Sequence, residues 1–161
     1  MKGLLILGAG GHGAVVKDVA KACGYDNIEF LDDNNHNALG KISDLKNFRE
    51  YESVFVSIGD NIVREKLLDI AENLGFKLPS LIHPDSYVSS SAKIDEAVLV
   101  EPGAIINSNV EVGKGTIVSV GAIIDHNAKI GEFVHVNAGA IVKSLSCIES
   151  FRKLEIGERV K

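Results

Sequence analysis

The residues best suited to chemistry lie near the start, where Gly8-Ala9-Gly10-Gly11-His12-Gly13 follows the apolar run Leu4 to Leu7 and precedes residues at helical spacing. Glycines in that context let backbone N–H groups and a helix N-terminus approach a phosphate that bulkier side chains would keep away. Asp32 and Asp33 follow about twenty positions later, where such a fold places a ribose or base. Gly59-Asp60-Asn61 marks the same sheet edge after another strand. Arg64, one helical turn on, is either a contact for phosphate or sugar or an ordinary solvated helix residue. The chemistry this pattern offers is binding of a nucleotide diphosphate; the bland alternative is a tight strand–helix turn with no ligand.

The elements that must position these residues read as alternating strands and helices. Leu4–Leu7 is a strand, and Val15, Val16, Val19, Ala20 and Cys23 recur at helical spacing until Gly24. Ile28–Leu31 and Val54–Ile58 are further strands, with a short helix between them for which Ser43 is the candidate cap. A longer helix runs from Asn61 to Leu74, capped by Asp60 and stopped at Gly75. Leu78–Ile82 reads as a last short strand before a hinge at His83-Pro84. The alternation predicts an α/β Rossmann-like domain over residues 1–83. About 80 residues are too few for a dinucleotide and a catalytic half, so a nucleotide-linked group is the better-sized guest.

From Val88 the texture changes to a period of six. Val88, Ile94, Val100, Ile106, Val112, Val118, Ile124, Ile130, Val136, Val142, Ile148, Leu154 and Val160 are all aliphatic. Two residues before them stand Ser86, Ala92, Val98, Ala104, Val110, Thr116, Ala122, Ala128, Val134, Ala140 and Ser146, small or β-branched, until Arg152 and Glu158 break the pattern. One residue after them come turn formers such as Asp95, Asn107, Gly113, Asp125 and Asn137. Neither helical nor flat-strand periodicity yields an unbroken six. The repeat predicts a left-handed parallel β-helix over residues 84–161, three hexads to a coil and a little over four coils. His126, two residues past the inward Ile124, falls on the outer wall beside Ser108 and Ser144.

Composition removes several function classes. Among 161 residues, 45% are apolar, 6% aromatic and none is Trp, which suits a thin, regular interior. A formal net charge of −5 without a basic stripe argues against nucleic acid and anionic membranes as partners. The apolar start breaks at Gly8, too soon for a signal peptide or a span, and a cytoplasmic location is expected. Cys23 and Cys147 are isolated, so neither a disulfide framework nor a zinc knuckle is indicated. No metal is expected: His83, His126 and His135 lack the short spacing of a zinc site.

Taken together, GAGGHG, FLDDN, SIGDNIVRE, LIHPDSYVSSSAKI and DHNAKIGEFVHVNAGA, in that order along nearly the whole chain, resemble the sugar O-/N-acyltransferase family. That family includes sialic acid O-acetyltransferases and nucleotide-amino-sugar N-acetyltransferases. The resemblance implies a homotrimer, acetyl-CoA as co-substrate in the groove between neighbouring prisms, and a nucleotide-activated sugar on the N-terminal domain. It implies His126 as general base and His135 as a residue holding the acetyl end of the donor. Acetyl transfer from a thioester also needs oxyanion-stabilising N–H groups, for which Gly139 and Ala140 offer backbone. The expected sugar-binding set is Gly8, Gly10, Gly11, His12, Gly13, Asp32, Asp33, Asp60, Asn61 and Arg64. Asn127 stands where the family has a carboxylate to orient the imidazole, and Asp125 is the candidate substitute. The acceptor is an amine or a hydroxyl. An alternative is a nucleotide-sugar-binding protein whose transferase activity is lost or reduced with its short set of coils.

Overall fold

β1 (Gly3–Leu7) is the central strand of a three-stranded parallel sheet in the computed structural model, which describes residues 2–161. β2 (Asn27–Leu31) and β3 (Ser53–Val56) flank it, with Leu4 opposite Ile28 on one side and Ser53 on the other. Leu4 to Leu7 are fully buried, which is why this strand reads as a continuous apolar run instead of an alternation. Helix α1 (Gly11–Ala22) follows β1 and buries Gly13, Val16, Val19 and Ala20. Helix α2 (Asn61–Asn73) follows β3, and the Asp60 carboxylate accepts from the N–H groups of Ile62 and Val63. Gly24 and Gly75, with φ of 85° and 81°, turn the chain out of each helix.

Two local expectations change. The short helix is a 3-10 turn over Ile42–Asn47, and Ser43 lies inside it. Its start is fastened by Asp44, whose carboxylate accepts the Lys41 N–H at 3.2 Å. The strand expected at 78–82 shrinks to Leu81–Ile82 and pairs with Leu99–Val100, one coil further on. It therefore belongs to the repeat. The chain divides into two compact units after Pro79, and the three-stranded sheet ends at β3.

The second unit is a parallel β-helix of two-residue strands stacked into three sheets. The first face carries Leu81–Ile82, Leu99–Val100, Ile117–Val118 and His135–Val136. The second carries Tyr87–Val88, Ile105–Ile106, Ile123–Ile124, Ile141–Val142 and Arg159–Val160, and the third Lys93–Ile94, Glu111–Val112, Lys129–Ile130 and Cys147–Ile148. The aliphatic beat and the small residues two positions earlier form one continuous core, including Val98, Val100, Ala104, Ile106, Val118, Ala122, Ile124 and Val136, all fully buried.

From Ile94 onward each corner turns on a residue in the left-handed backbone region, three positions after the aliphatic one. Ala97, Gly103, Asn109, Gly115, Gly121, Asn127, Phe133, Gly139, Leu145, Phe151 and Gly157 all have φ between 52° and 71°. The position just after the aliphatic residue assists: Asp95, Asn107, Asp125 and Asn137 each accept, through Oδ1, the N–H of the next residue.

Outward positions distinguish the faces. The third carries a charged ladder in which Glu111 lies 4.0 Å from Lys93 and 3.9 Å from Lys129. The second presents Tyr87, Ile105, Ile123 and Ile141 in register, with Tyr87 57% and Ile105 38% exposed.

Candidate active site

The glycine loop divides its glycines between packing and access. Gly8 has φ of 107°, donates to the Leu31 carbonyl at 2.9 Å, and has Ile58 Cδ1 2.7 Å from where a Cβ would sit. At Gly13 a Cβ would lie 2.3 Å from the Gly8 carbonyl oxygen, so only glycine allows α1 to cross the strand end this closely. Gly10 and Gly11 have nothing within 4 Å of their missing side chains. No side chain caps α1, so the positive end of its helix dipole meets this open surface.

Asp32 is turned toward the loop. Its Oδ2 accepts the Ala9 N–H at 2.7 Å, while Oδ1 accepts from Asn34 and Asn35 at 2.8 and 3.0 Å. These bonds, the Ala9 one foremost, hold the carboxyl below the usual carboxylate range. Asn35 Nδ2 returns to the Ala9 carbonyl at 3.3 Å, closing a ring that fixes the loop. Asp33 accepts the Ile42 N–H at 3.0 Å.

Arg64 is only 1% exposed, which overturns the solvated-helix reading. Its guanidinium donates to the Ile58 carbonyl at 2.9 Å and to Asn61 Oδ1 at 2.6 Å, bracing the turn after β3. Burial pushes its pKa down to about 10, against the pull of Asp60, so it stays charged at neutral pH. His12 is half-buried, and its imidazole is held below its ordinary value by burial first and by the Arg64 charge second. The loop therefore presents a neutral imidazole at neutral pH, beside a buried cation.

On the solenoid, His126 is exposed at the corner between the second and third faces. The Asn127 N–H donates to the Ser108 carbonyl and the Leu145 N–H to the His126 carbonyl, which places Ser108 and Ser144 in the coils below and above, as the period implied. Asp125 does not meet the imidazole. Its Oδ1 accepts the His126 backbone N–H at 2.8 Å and Asn107 Nδ2 at 3.0 Å, and these bonds hold its carboxyl below the usual range. The group at the ring is Asn127, whose side-chain amide lies 3.1 Å from His126 Nδ1.

His135 lies on the first face, half-buried, with Nε2 3.1 Å from Ser119 Oγ. Gly139 and Ala140 do not present spare N–H groups: the first donates to the Val120 carbonyl and the second to that of Asn137, each at 3.0 Å. Gly139 nevertheless leaves an exposed corner without a side chain. Among the described residues, no group of three or more His, Cys, Asp or Glu side chains is placed to hold a metal ion, and no helix is long and apolar enough to cross a membrane.

Reading by residue type missed Ser119 and the pairing of Asn127 with the ring. One signal pointed to Asn127, because Gly or Asn stands three positions after the aliphatic residue at seven of the left-handed corners. That beat marks Asn127 as a corner whose side chain projects from a fixed backbone.

Residues 3–71 match the family of the PglD N-terminal domain. The chain is 35% identical to the acetyltransferase domain of PglB from Neisseria gonorrhoeae FA1090, solved with acetyl coenzyme A, with a TM-score of 0.93 over 99% of this chain and 82% of that one. It is 30% identical to PerB from Caulobacter crescentus, solved with CoA and GDP-perosamine, with a TM-score of 0.84 over 99% of this chain and 88% of that one. An α/β unit with an open glycine loop, followed by a six-residue-repeat β-helix with outward imidazoles, is the architecture of a hexapeptide-repeat sugar acyltransferase. The chain belongs to the PglD-type nucleotide-sugar N-acetyltransferase family.

Proposed function

We propose that this protein transfers the acetyl group of acetyl-CoA to an amino group on a nucleotide-activated sugar, with His126 as general base. The carrying observation is an exposed imidazole on the solenoid wall, its Nδ1 side occupied by Asn127 and its Nε2 side left for an acceptor. The open surface at Gly10 and Gly11, with the α1 N-terminus behind it, receives the nucleotide diphosphate. Similarity to PglB and PerB supports the donor and the amino-sugar class.

The reaction balances with this chain's own groups. The amine lone pair attacks the thioester carbonyl, the C–N bond forms and the C–S bond breaks. The proton leaving nitrogen passes to His126 Nε2 and from there to the departing CoA sulfur. With the Gly139 and Ala140 N–H groups engaged in the coil, we assign His135 to the acetyl carbonyl.

A homotrimer is the assembly this reading needs. His126 stands at the corner opposite the first face, which carries His135, so one prism cannot bring both to one acetyl group. A ring that buries the second face, with its Tyr87, Ile105, Ile123 and Ile141 ladder, turns the His126 corner of one copy toward the first face of the next.

Incubation with acetyl-CoA and a panel of nucleotide amino sugars and their hydroxyl congeners, following thiol release, tests the proposal. Turnover with an amino sugar is expected. No turnover with any acceptor, together with no CoA binding, would overturn it.

A further inference from the structure

We infer that Glu101, a buried carboxyl that the proposed reaction does not use, is the positioning residue for Ser119 and, through it, for His135; the kinetic consequence rests on the assignment of His135 to the donor. Other corners of the solenoid show what is unusual here. Where Asp or Asn stands directly after the aliphatic residue, its own Oδ1 accepts the next backbone N–H and fixes the corner: Asp95 does so for Glu96, Asn107 for Ser108, Asp125 for His126 and Asn137 for Ala138. Ser119 occupies the same step, yet its hydroxyl lies 3.1 Å from His135 Nε2. The N–H that follows it, that of Val120, goes to Glu101 one coil below, whose Oε2 accepts it at 2.9 Å. Glu101 has no such bond to make at its own corner, because Pro102 follows it and carries no N–H. Its backbone is held in the same column by donation to the Val118 carbonyl at 2.9 Å, and only 6% of the residue is exposed. One side chain thus secures the corner while the other faces the imidazole. Burial pushes the Glu101 carboxyl above its ordinary range against the pull of the Val120 N–H, and a carboxyl that holds a proton still has a carbonyl oxygen for that bond.

Glu101→Gln keeps an acceptor for the Val120 N–H, whereas Glu101→Met fills the same buried space without one. In full-length protein labelled with 15N, the His135 ring signals, identified by their loss in His135→Ala, should move in Glu101→Met as they do in Ser119→Ala and return toward wild type in Glu101→Gln. KM for acetyl-CoA should rise several-fold in Glu101→Met, on the scale of one lost hydrogen bond, with a smaller change in kcat and recovery in Glu101→Gln. Because the effect runs through Ser119, Glu101→Met should add little to KM once Ser119→Ala is present, whereas a general loosening of the coil would add in full. His135 signals unmoved in Glu101→Met, a Glu101→Gln variant no better than Glu101→Met, or full additivity in the double variant would overturn the inference. A wild-type protein without turnover would instead overturn the transferase reading, while the ring signals still decide the role of Glu101.

Discussion

Ser119 Oγ and His135 Nε2 stand 3.1 Å apart, one on the corner that follows a strand of the first face and the other on the next strand of that face. Ser119 is 5% exposed, so it holds His135 from beneath, at the ring's Nε2. Ser119→Ala should raise KM for acetyl-CoA several-fold, with a smaller change in kcat and a stability loss of about 1 kcal/mol. Steady-state kinetics with a thermal melt on the same sample check this; an unchanged KM would remove His135 from the donor site.

The opposed placement of His126 and His135 predicts complementation. His126→Ala alone should lower kcat roughly 100-fold or more, the usual scale for a general base. When His126→Ala and His135→Ala chains are unfolded together and refolded as a mixture, random assortment leaves roughly a quarter of the composite sites intact. Activity near that fraction of wild type is expected. Activity no higher than the better parent would show that both imidazoles act within one chain.

The glycine loop separates binding from packing. Gly13→Ala puts a methyl 2.3 Å from the Gly8 carbonyl and should destabilise the protein by about 1–3 kcal/mol. Gly10→Ala meets nothing within 4 Å and should leave the melting temperature unchanged, yet weaken nucleotide-sugar binding by obstructing the phosphate approach. Calorimetric titration of the two variants distinguishes them, and full affinity in Gly10→Ala would contradict the assigned binding surface.

Asp32 links the loop to pH. Its carboxyl is held below the usual range by the Ala9 N–H and then by those of Asn34 and Asn35. Its contribution to stability is therefore complete above the unfolded-state value of about 4 and is lost as pH falls through the lower folded value. The melting-temperature gap between wild type and Asp32→Ala should be largest near neutrality and close on acidification. A gap constant from pH 7 to pH 3 would mean the carboxylate bonds contribute nothing.

Much of the architecture is legible from residue types. Thirteen aliphatic positions at a spacing of six can be satisfied only by a narrow prism whose every coil repeats the same inward step, and the small residues two places earlier leave room for its walls to close. The open glycines and the Asp60 cap are equally local: a conformation or an approach that no other side chain permits. Hydrogen-bond partners are a different matter. That Asp32 takes three backbone N–H groups, and that Arg64 is buried beneath the turn after β3 instead of solvated on its helix, emerges only from the coordinates. Asp125 and Asn127 flank His126 symmetrically in the sequence, yet the left-handed corner swings the Asn127 amide to the ring and leaves Asp125 capping the backbone. The sequence by itself determined the repeat, the glycine loop and the identity of the imidazoles, because periodicity and steric permission are properties of each position. Only the tertiary structure decided which polar group serves which neighbour, because that choice depends on distances between residues brought together by the coil and on the direction in which each side chain leaves it.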